Sequence, residues 1–314
     1  MSKLHTSAAP HINSGATTHN VMRDVAIALL PATIAAIVLF GWKALLIVLV
    51  CVASAVASEF LFNLVCKKKQ TILDFSAIVT GLILALNLST NVPLWQCAVG
   101  SIFAIIVVKC LFGGLGKNVV NPAIAARVFL LIAFTTTVAG GANPEFVTGA
   151  TPLDPSTGAL VTGNYSLLTL LLGAHGGTIG ETCAIAILLG YAYLVWRKVI
   201  KWYVPLAFVG TAFVLFFVTK WDIKWALGHV LAGGLLFGAV FMATDYVTTP
   251  ISNLGKVVFC IGCALITYVI RMQFFGFAEL HTYPEGVSIA ILFMNLLTPL
   301  IEKWTNPKTL GGVK

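Results

Sequence analysis

The sequence predicts an all-α polytopic membrane protein whose ten transmembrane helices form two inverted five-helix repeats. Three observations carry that prediction. Of 314 residues, 59% are apolar or aromatic and only 10% are charged, whereas a soluble globular domain carries about 25% charged residues. The apolar residues fall in runs long enough to cross a bilayer, roughly 17–25 residues each. Motifs of the first half also recur in the second at a common spacing. The composition excludes an ordinary cytosolic enzyme, a disordered chain and a nucleic-acid-binding domain. The net charge of +8 does not point to nucleic acid, because the lysines bracket apolar runs as the positive-inside rule requires.

Residues 1–20 read as a polar tail without the basic, apolar and small-residue order of a removable leader. Apolar spans follow at 24–40, 44–66, 75–90, 92–112, 121–138, 178–196, 202–220, 225–247, 254–272 and 285–304. They divide into a first repeat over 21–138, a polar loop over 139–175, a second repeat over 176–304 and a tail over 305–314. Lys and Arg in the short loops orient the bundle. Thirteen fall on the side of the N-terminus, among them Lys67, Lys68, Lys69, Arg197, Lys198, Lys201 and Lys256. Four, Lys43, Lys220, Lys224 and Arg271, fall on the other side, while Lys109 and Arg127 sit nearer span interiors. Both termini are therefore expected in the cytoplasm and the 139–175 loop outside.

The repeat is read from Ala26-Ile-Ala-Leu-Leu30 and Ala184-Ile-Ala-Ile-Leu188, an offset of 158 that Lys43 and Lys201 share. Gly81 precedes Pro93 by the same twelve positions that separate Gly238 from Pro250. Five spans per copy is an odd number, so the second copy enters the membrane upside down. Span 3 ends in Asn87-Leu-Ser-Thr-Asn-Val-Pro93 and span 8 in Ala243-Thr-Asp-Tyr-Val-Thr-Thr-Pro250. Pro-interrupted segments at matching places point to a binding site between repeats. Taken alone, these two prolines read more simply as helix ends at the membrane face.

In the outer loop stands Glu145-Phe-Val-Thr-Gly-Ala-Thr151-Pro-Leu. Thr148-Gly-Ala-Thr151 with an acid six residues before Thr151 resembles the flavinylation motif, in which a dedicated transferase joins the phosphate of FMN to the last Thr hydroxyl. Glu145 stands where that motif usually has Asp. Ser14-Gly-Ala-Thr17 fits the short pattern too, but His11 occupies the acid position and the segment lies on the predicted cytoplasmic side.

The likeness extends along the chain, through Ala9-Pro-His11, Leu29-Leu-Pro-Ala32, Asp74-Phe-Ser-Ala-Ile-Val-Thr-Gly81, Gly113-Gly-Leu-Gly-Lys-Asn-Val-Val-Asn-Pro-Ala123, Phe241-Met-Ala-Thr-Asp245 and Glu285-Gly-Val-Ser-Ile-Ala-Ile-Leu-Phe-Met-Asn295. The sequence resembles the RnfD/NqrB family. Its RnfD members belong to the Rnf complexes, the ion-translocating ferredoxin:NAD oxidoreductases, and its NqrB members to the sodium-pumping NADH:quinone reductases. The resemblance, closer to the Rnf members, implies a fold akin to urea and ammonium transporters in a prokaryotic inner membrane. It implies covalent FMN on Thr151 and a noncovalent riboflavin deeper in the bundle. Electrons would pass by these flavins between reduced ferredoxin and NAD, coupled to Na+ or H+ movement, with the chain not catalytic alone. The implied partners are the other members of a six-subunit complex, including a second FMN-bearing subunit and iron–sulfur subunits, a flavin transferase, and membrane lipid.

Further candidates come from residue chemistry. Gly113 to Gly116, followed by Asn118, Asn121 and Pro122, opens span 5 at the cytoplasmic face. Read alone, it is equally a capped turn or a site whose amides suit a flavin edge; with the resemblance, it is expected to bind flavin. Intramembrane ionisable residues are functional suspects. Glu59 and Asp245 are taken as ion-pathway candidates, with Asp245 also placed at the flavin. Arg127 is divided between compensating flavin charge and a structural ion pair, and Asp74 is expected to cap span 3. Seven scattered cysteines read as small buried hydrophobes, and six dispersed histidines as loop or interfacial residues with no metal-ligand spacing. The repeat alone fits a cofactor-free solute channel or secondary transporter equally well; only the flavin-acceptor loop separates the two readings.

Overall fold

The computed structural model describes residues 17–135, 153, 166–173, 175–272 and 286–305. Besides a 3-10 turn at Ile72–Asp74, twelve helices are described: α1 (Thr18–Phe40), α2 (Trp42–Val65), α3 (Ser76–Leu86), α4 (Leu94–Cys110), α5 (Pro122–Ala133), α6 (Leu167–Leu172), α7 (Ala184–Trp196), α8 (Tyr203–Lys220), α9 (Ile223–Leu231), α10 (Leu235–Met242), α11 (Asn253–Met272) and α12 (Val287–Thr305). The second half of α4, Phe103–Cys110, is wound as a π-helix, as is the end of α10. The first helix starts where Thr17 accepts a hydrogen bond from the Asn20 N–H at 3.3 Å, an N-cap. Gly41, at φ 68°, then breaks α1 from α2.

Among the described residues, five helices, α1, α2, α8, α11 and α12, are long and apolar enough to cross a bilayer, and a sixth span counts if the bent pair α9–α10 is taken as one. The other apolar runs read as spans from the sequence form shorter or broken helices among the described residues. The helices α3, α5 and α7 hold only 11, 12 and 13 residues. The span expected over 178–196 begins as a helix only at Ala184, because 175–183 is not helical. There the N–H groups of Ile179 and Gly180 bond the carbonyls of Leu88 and Leu86 at 2.9 and 2.7 Å. The span expected over 225–247 is broken between Leu231 and Leu235, with a bend of 65°.

Broken helices expose backbone groups that no lipid can satisfy, and the fold answers each break from within. The orphan carbonyls at the end of α3 receive the two N–H groups just named. Those at the end of α9 receive Arg271, whose Nη1 donates to His229 O and whose Nη2 donates to Ala232 O at 3.2 Å. Arg271, expected in an outer loop, is therefore a buried cap in the last turn of α11. The short helices α3 and α10 begin after left-handed residues, Phe75 at φ 63° and Gly233 at φ 68°, and are buried along most of their length. Close packing of α3 on α2 requires Gly81, where a Cβ would stand 2.9 Å from Val52 Cα.

In the first half α2 packs on α3 and α4, α1 on α3, and α5 on α3 and α4. In the second, α8 packs on α9, α10 and α11, α7 on α10, and α12 on α10 and α11. Between the halves α1 meets α7 and α5 meets α12. The outer surface is apolar, with Ile34, Val38, Leu64 and Ile132 all more than half exposed, as expected of a face turned to lipid. Six of the seven tryptophans, Trp42, Trp95, Trp196, Trp202, Trp221 and Trp304, are exposed at or beside helix ends, where membrane-interface aromatics sit.

Candidate functional site

A cleft lies between the halves, with about 790 Å³ of empty space when the open solvent at its mouth is counted. Helix α1 contributes Val21 and Val25, α3 contributes Val79, Thr80 and Ile83, and Phe241 comes from α10. Its polar groups include Asn118 and Asn121 before α5, Asp245 after α10, and Ser76 and Lys109. Three residues singled out separately in the sequence, Asn118, Asn121 and Asp245, thus meet in one cavity.

Each is held by local structure. Asn121 is the N-cap of α5, its Oδ1 accepting from Ala123 N at 3.0 Å and Ile124 N at 3.4 Å. Asn118 donates its amide to Val120 O at 3.0 Å, which turns the Gly-rich loop into the helix. The Asp245 carboxylate closes the turn after α10, accepting from Val247 N at 3.3 Å and from the Thr248 hydroxyl at 3.0 Å. Asn295 of α12 ties the walls together once its amide is oriented to satisfy both neighbours, the oxygen accepting from Asn121 N and the nitrogen donating to Thr248 O, each at 3.2 Å. Thr298 adds a bond to the same Thr248 carbonyl at 2.9 Å.

Beside the cavity runs an ionic network. Lys109 donates to both oxygens of Glu59 at 2.9 Å and to Ser76 Oγ at 2.6 Å. Thr71 donates to Glu59 at 2.6 Å, and Asn63 to Thr71 at 3.1 Å. Asp74 accepts from the Ser76 N–H at 2.9 Å and from its hydroxyl, so it does serve the start of α3, from one residue outside the cap position. Arg127 does not line the cavity. It faces Glu181 at 3.9 Å, with both side chains buried.

Comparison with known proteins places the chain. Residues 5–311 match the model of the NQR2, RnfD, RnfE family. The chain belongs to that family. Among its relatives, the D subunit of the Na(+)-translocating ferredoxin:NAD(+) oxidoreductase complex of Acetobacterium woodii is 42% identical, over 99% of this chain and 96% of its own length. The D subunit of the proton-translocating ferredoxin:NAD(+) oxidoreductase complex of Clostridium ljungdahlii is 35% identical, over 97% and 95%. The D subunit of the ion-translocating oxidoreductase complex of Stutzerimonas stutzeri is 38% identical, over 93% and 91%.

In this member of the NQR2, RnfD, RnfE family, Glu145, Thr148 and Thr151 lie outside the described residues. The competing Thr17 is described, and its hydroxyl caps α1. All seven cysteines are free thiols; five are buried or nearly so in the bundle, Cys183 is half-buried and Cys66 is exposed. His229 departs from the expected interfacial role: it is buried, stacked on Phe216 with centroids 4.6 Å apart. Glu181 is not among the candidates read from sequence, and Lys109 has no partner there. Glu181 opens an apolar run after a glycine-rich stretch and reads as its polar edge, although an acid inside a predicted span is signal enough.

Proposed function

We propose that this chain is the flavin-carrying membrane subunit of an ion-translocating ferredoxin:NAD+ oxidoreductase complex. The reading is supported by the names of its relatives, by Thr148-Gly-Ala-Thr151 in a predicted outer loop, and by the inter-half cleft. The observation that carries it is the meeting of Asn118, Asn121 and Asp245 in that cleft, on the side predicted to be cytoplasmic. The residues fit a riboflavin: apolar walls for the ring system, and amides and hydroxyls for its edge and ribityl chain. The one basic residue among those lining the cleft is Lys109, which Glu59 already neutralises, so the lining carries no basic cluster of the kind a phosphate calls for.

FMN would be joined through its phosphate to Thr151. When bound, the two flavins supply electron carriage; the protein sets their environment and spacing. Asn118 and Asn121 orient the inner group from the start of α5, Asp245 presents a carboxyl beside it, and Phe241 and Val79 exclude water. Glu59 and Asp245 stand as acids on the cytoplasmic end of an ion path. The partners would be the other subunits of a six-subunit complex, with a transferase acting on the outer loop.

A ten-segment inverted repeat with both termini in the cytoplasm is part of the proposal. Each first-half packing pair described above has a counterpart in the second half, and the contacts between halves, α1 on α7 and α5 on α12, join equivalent helices. A pseudo-two-fold axis in the membrane plane produces that pattern.

In-gel flavin fluorescence of the denatured protein tests the reading. Fluorescence is expected in the natural sequence and in Thr17→Val, and absent in Thr151→Val; loss only in Thr17→Val would invert the assignment. In the native complex, Asn118→Leu is expected to release noncovalent flavin while leaving the covalent signal intact.

A further inference from the structure

We infer that Lys198, Lys201 and Lys256 form a binding site for the phosphate of an anionic phospholipid, where α8 and α11 emerge on the side predicted to be cytoplasmic. The inference rests on the membrane reading of the chain and not on its flavins.

A second pocket adjoins the cleft, with about 470 Å³ of empty space when the open solvent at its mouth is counted. The two share Val199, Ile200, Thr244 and Tyr246 as a common wall. Their charges differ. The cleft presents Asp245 and Lys109, which Glu59 neutralises, whereas the pocket is lined by three lysines and no acid. Among the described residues, none of the three forms an ion pair, while the neighbouring Arg197 is held by Asp24 at 3.1 Å. Like charges gathered around one hollow repel each other, and an anion seated among them relieves that repulsion.

Helix stability does not account for where these lysines stand. Lys198 ends the turn after α7 in the left-handed region, at φ 57°, its N–H bonding Val195 O at 3.0 Å. Glycine is the residue that position favours. Lys256 lies in the first turn of α11 and is half-buried, at the helix end where the dipole disfavours a cation. Lys201, just before α8, donates to the Asn253 side chain at the start of α11, which joins the two sides of the pocket.

The surroundings favour a lipid over a soluble ion. Helices α8 and α11 pack on each other and are both long enough to cross a bilayer, so the pocket sits where two spans leave it. Trp202, Leu206, Ile251 and Leu254 are exposed on the same two helix starts. Acyl chains can lie on these residues while the head-group phosphate meets the ammonium groups, which bind phosphate as point charges. Basic pockets between spanning helices on the cytoplasmic side recognise anionic head groups in this way. A free phosphate would use the lysines and leave the apolar rim without a role.

The test titrates a photoactivatable phosphatidylglycerol into the whole complex in phosphatidylcholine nanodiscs. Crosslinks are mapped by peptide mass spectrometry. Saturable labelling of 202–206 and 251–254 is expected, and labelling no stronger than that by a photoactivatable phosphatidylcholine overturns the inference. Lys198→Gly removes one charge and supplies the residue that the backbone there favours, so folding is not at risk. It is expected to weaken binding about fivefold, and the triple change Lys198→Gly, Lys201→Gln and Lys256→Gln about a hundredfold. Should the triple variant fail to assemble, Lys198→Gly decides, and unchanged binding in it overturns the inference. Changing Lys67, Lys68 and Lys69 to Gln removes equal charge from the same side and is expected to leave labelling intact. Equal loss in both triples would indicate a diffuse positive field and overturn the site. Excess inorganic phosphate is expected to leave the lipid in place; displacement would assign the pocket to a soluble phosphate instead.

Discussion

Lys109 shows how little a residue's own position says about its work. In sequence it is a basic residue inside an apolar run; in the fold it binds Glu59, touches Ser76 and lines the cleft. A buried ion pair adds little net stability over apolar packing, but removing one partner strands the other at a cost of about 3–5 kcal/mol. Glu59→Gln or Lys109→Gln alone should therefore lower the yield and the unfolding temperature of the solubilised complex. Combining Glu59→Gln with Lys109→Gln should recover most of the loss. A double variant no better than either single one would show that the two residues act separately. Thr17 carries a complementary lesson: its hydroxyl is engaged as a helix cap, a role that four-residue motif matching does not see.

Elements in this chain are defined by where helices stop. Hydrophobicity marks the apolar runs, but α3 and α9 end inside them because neighbouring chain supplies their terminal groups with partners. Arg271 is the clearest case, a cation on the last carbonyls of α9 where the helix dipole favours it. Hydrogen bonds to a charged group contribute about 1.5–3 kcal/mol each, so Arg271→Leu should destabilise the second half strongly. Limited proteolysis in detergent is expected to cut near the 231–235 break sooner than in the natural protein; equal protection of that break would refute the capping role. The apolar pattern is legible in advance. The breaks are not, since they depend on Ile179, Gly180 and Arg271, which are distant in sequence from the carbonyls they serve.

Seen whole, the first and second halves of the chain close on each other, with the cleft at their junction and the Arg127–Glu181 pair beyond it along α5. The charge count predicts that Lys67, Lys68 and Lys69 face the cytoplasm. Cys66 beside them is exposed, whereas the other six cysteines are buried or half-buried. A membrane-impermeant maleimide should therefore label Cys66 in inside-out vesicles and spare it in right-side-out ones. The opposite pattern would reverse the orientation, and with it the side assigned to Thr151.

Composition and local pattern were enough for the membrane class, the helical content and the amides that enter the cleft. Those features depend on residues near one another in the chain, where hydropathy, capping and loop charge act locally. The tertiary structure alone decided which charges pair and which helices stop short. Glu59 and Glu181 are both single acids within runs read as spans, one in the middle and one near the start. They differ because Lys109 reaches one at hydrogen-bonding distance, while Arg127 faces the other across 3.9 Å, and such distances are set by the packing of helices far apart in the chain.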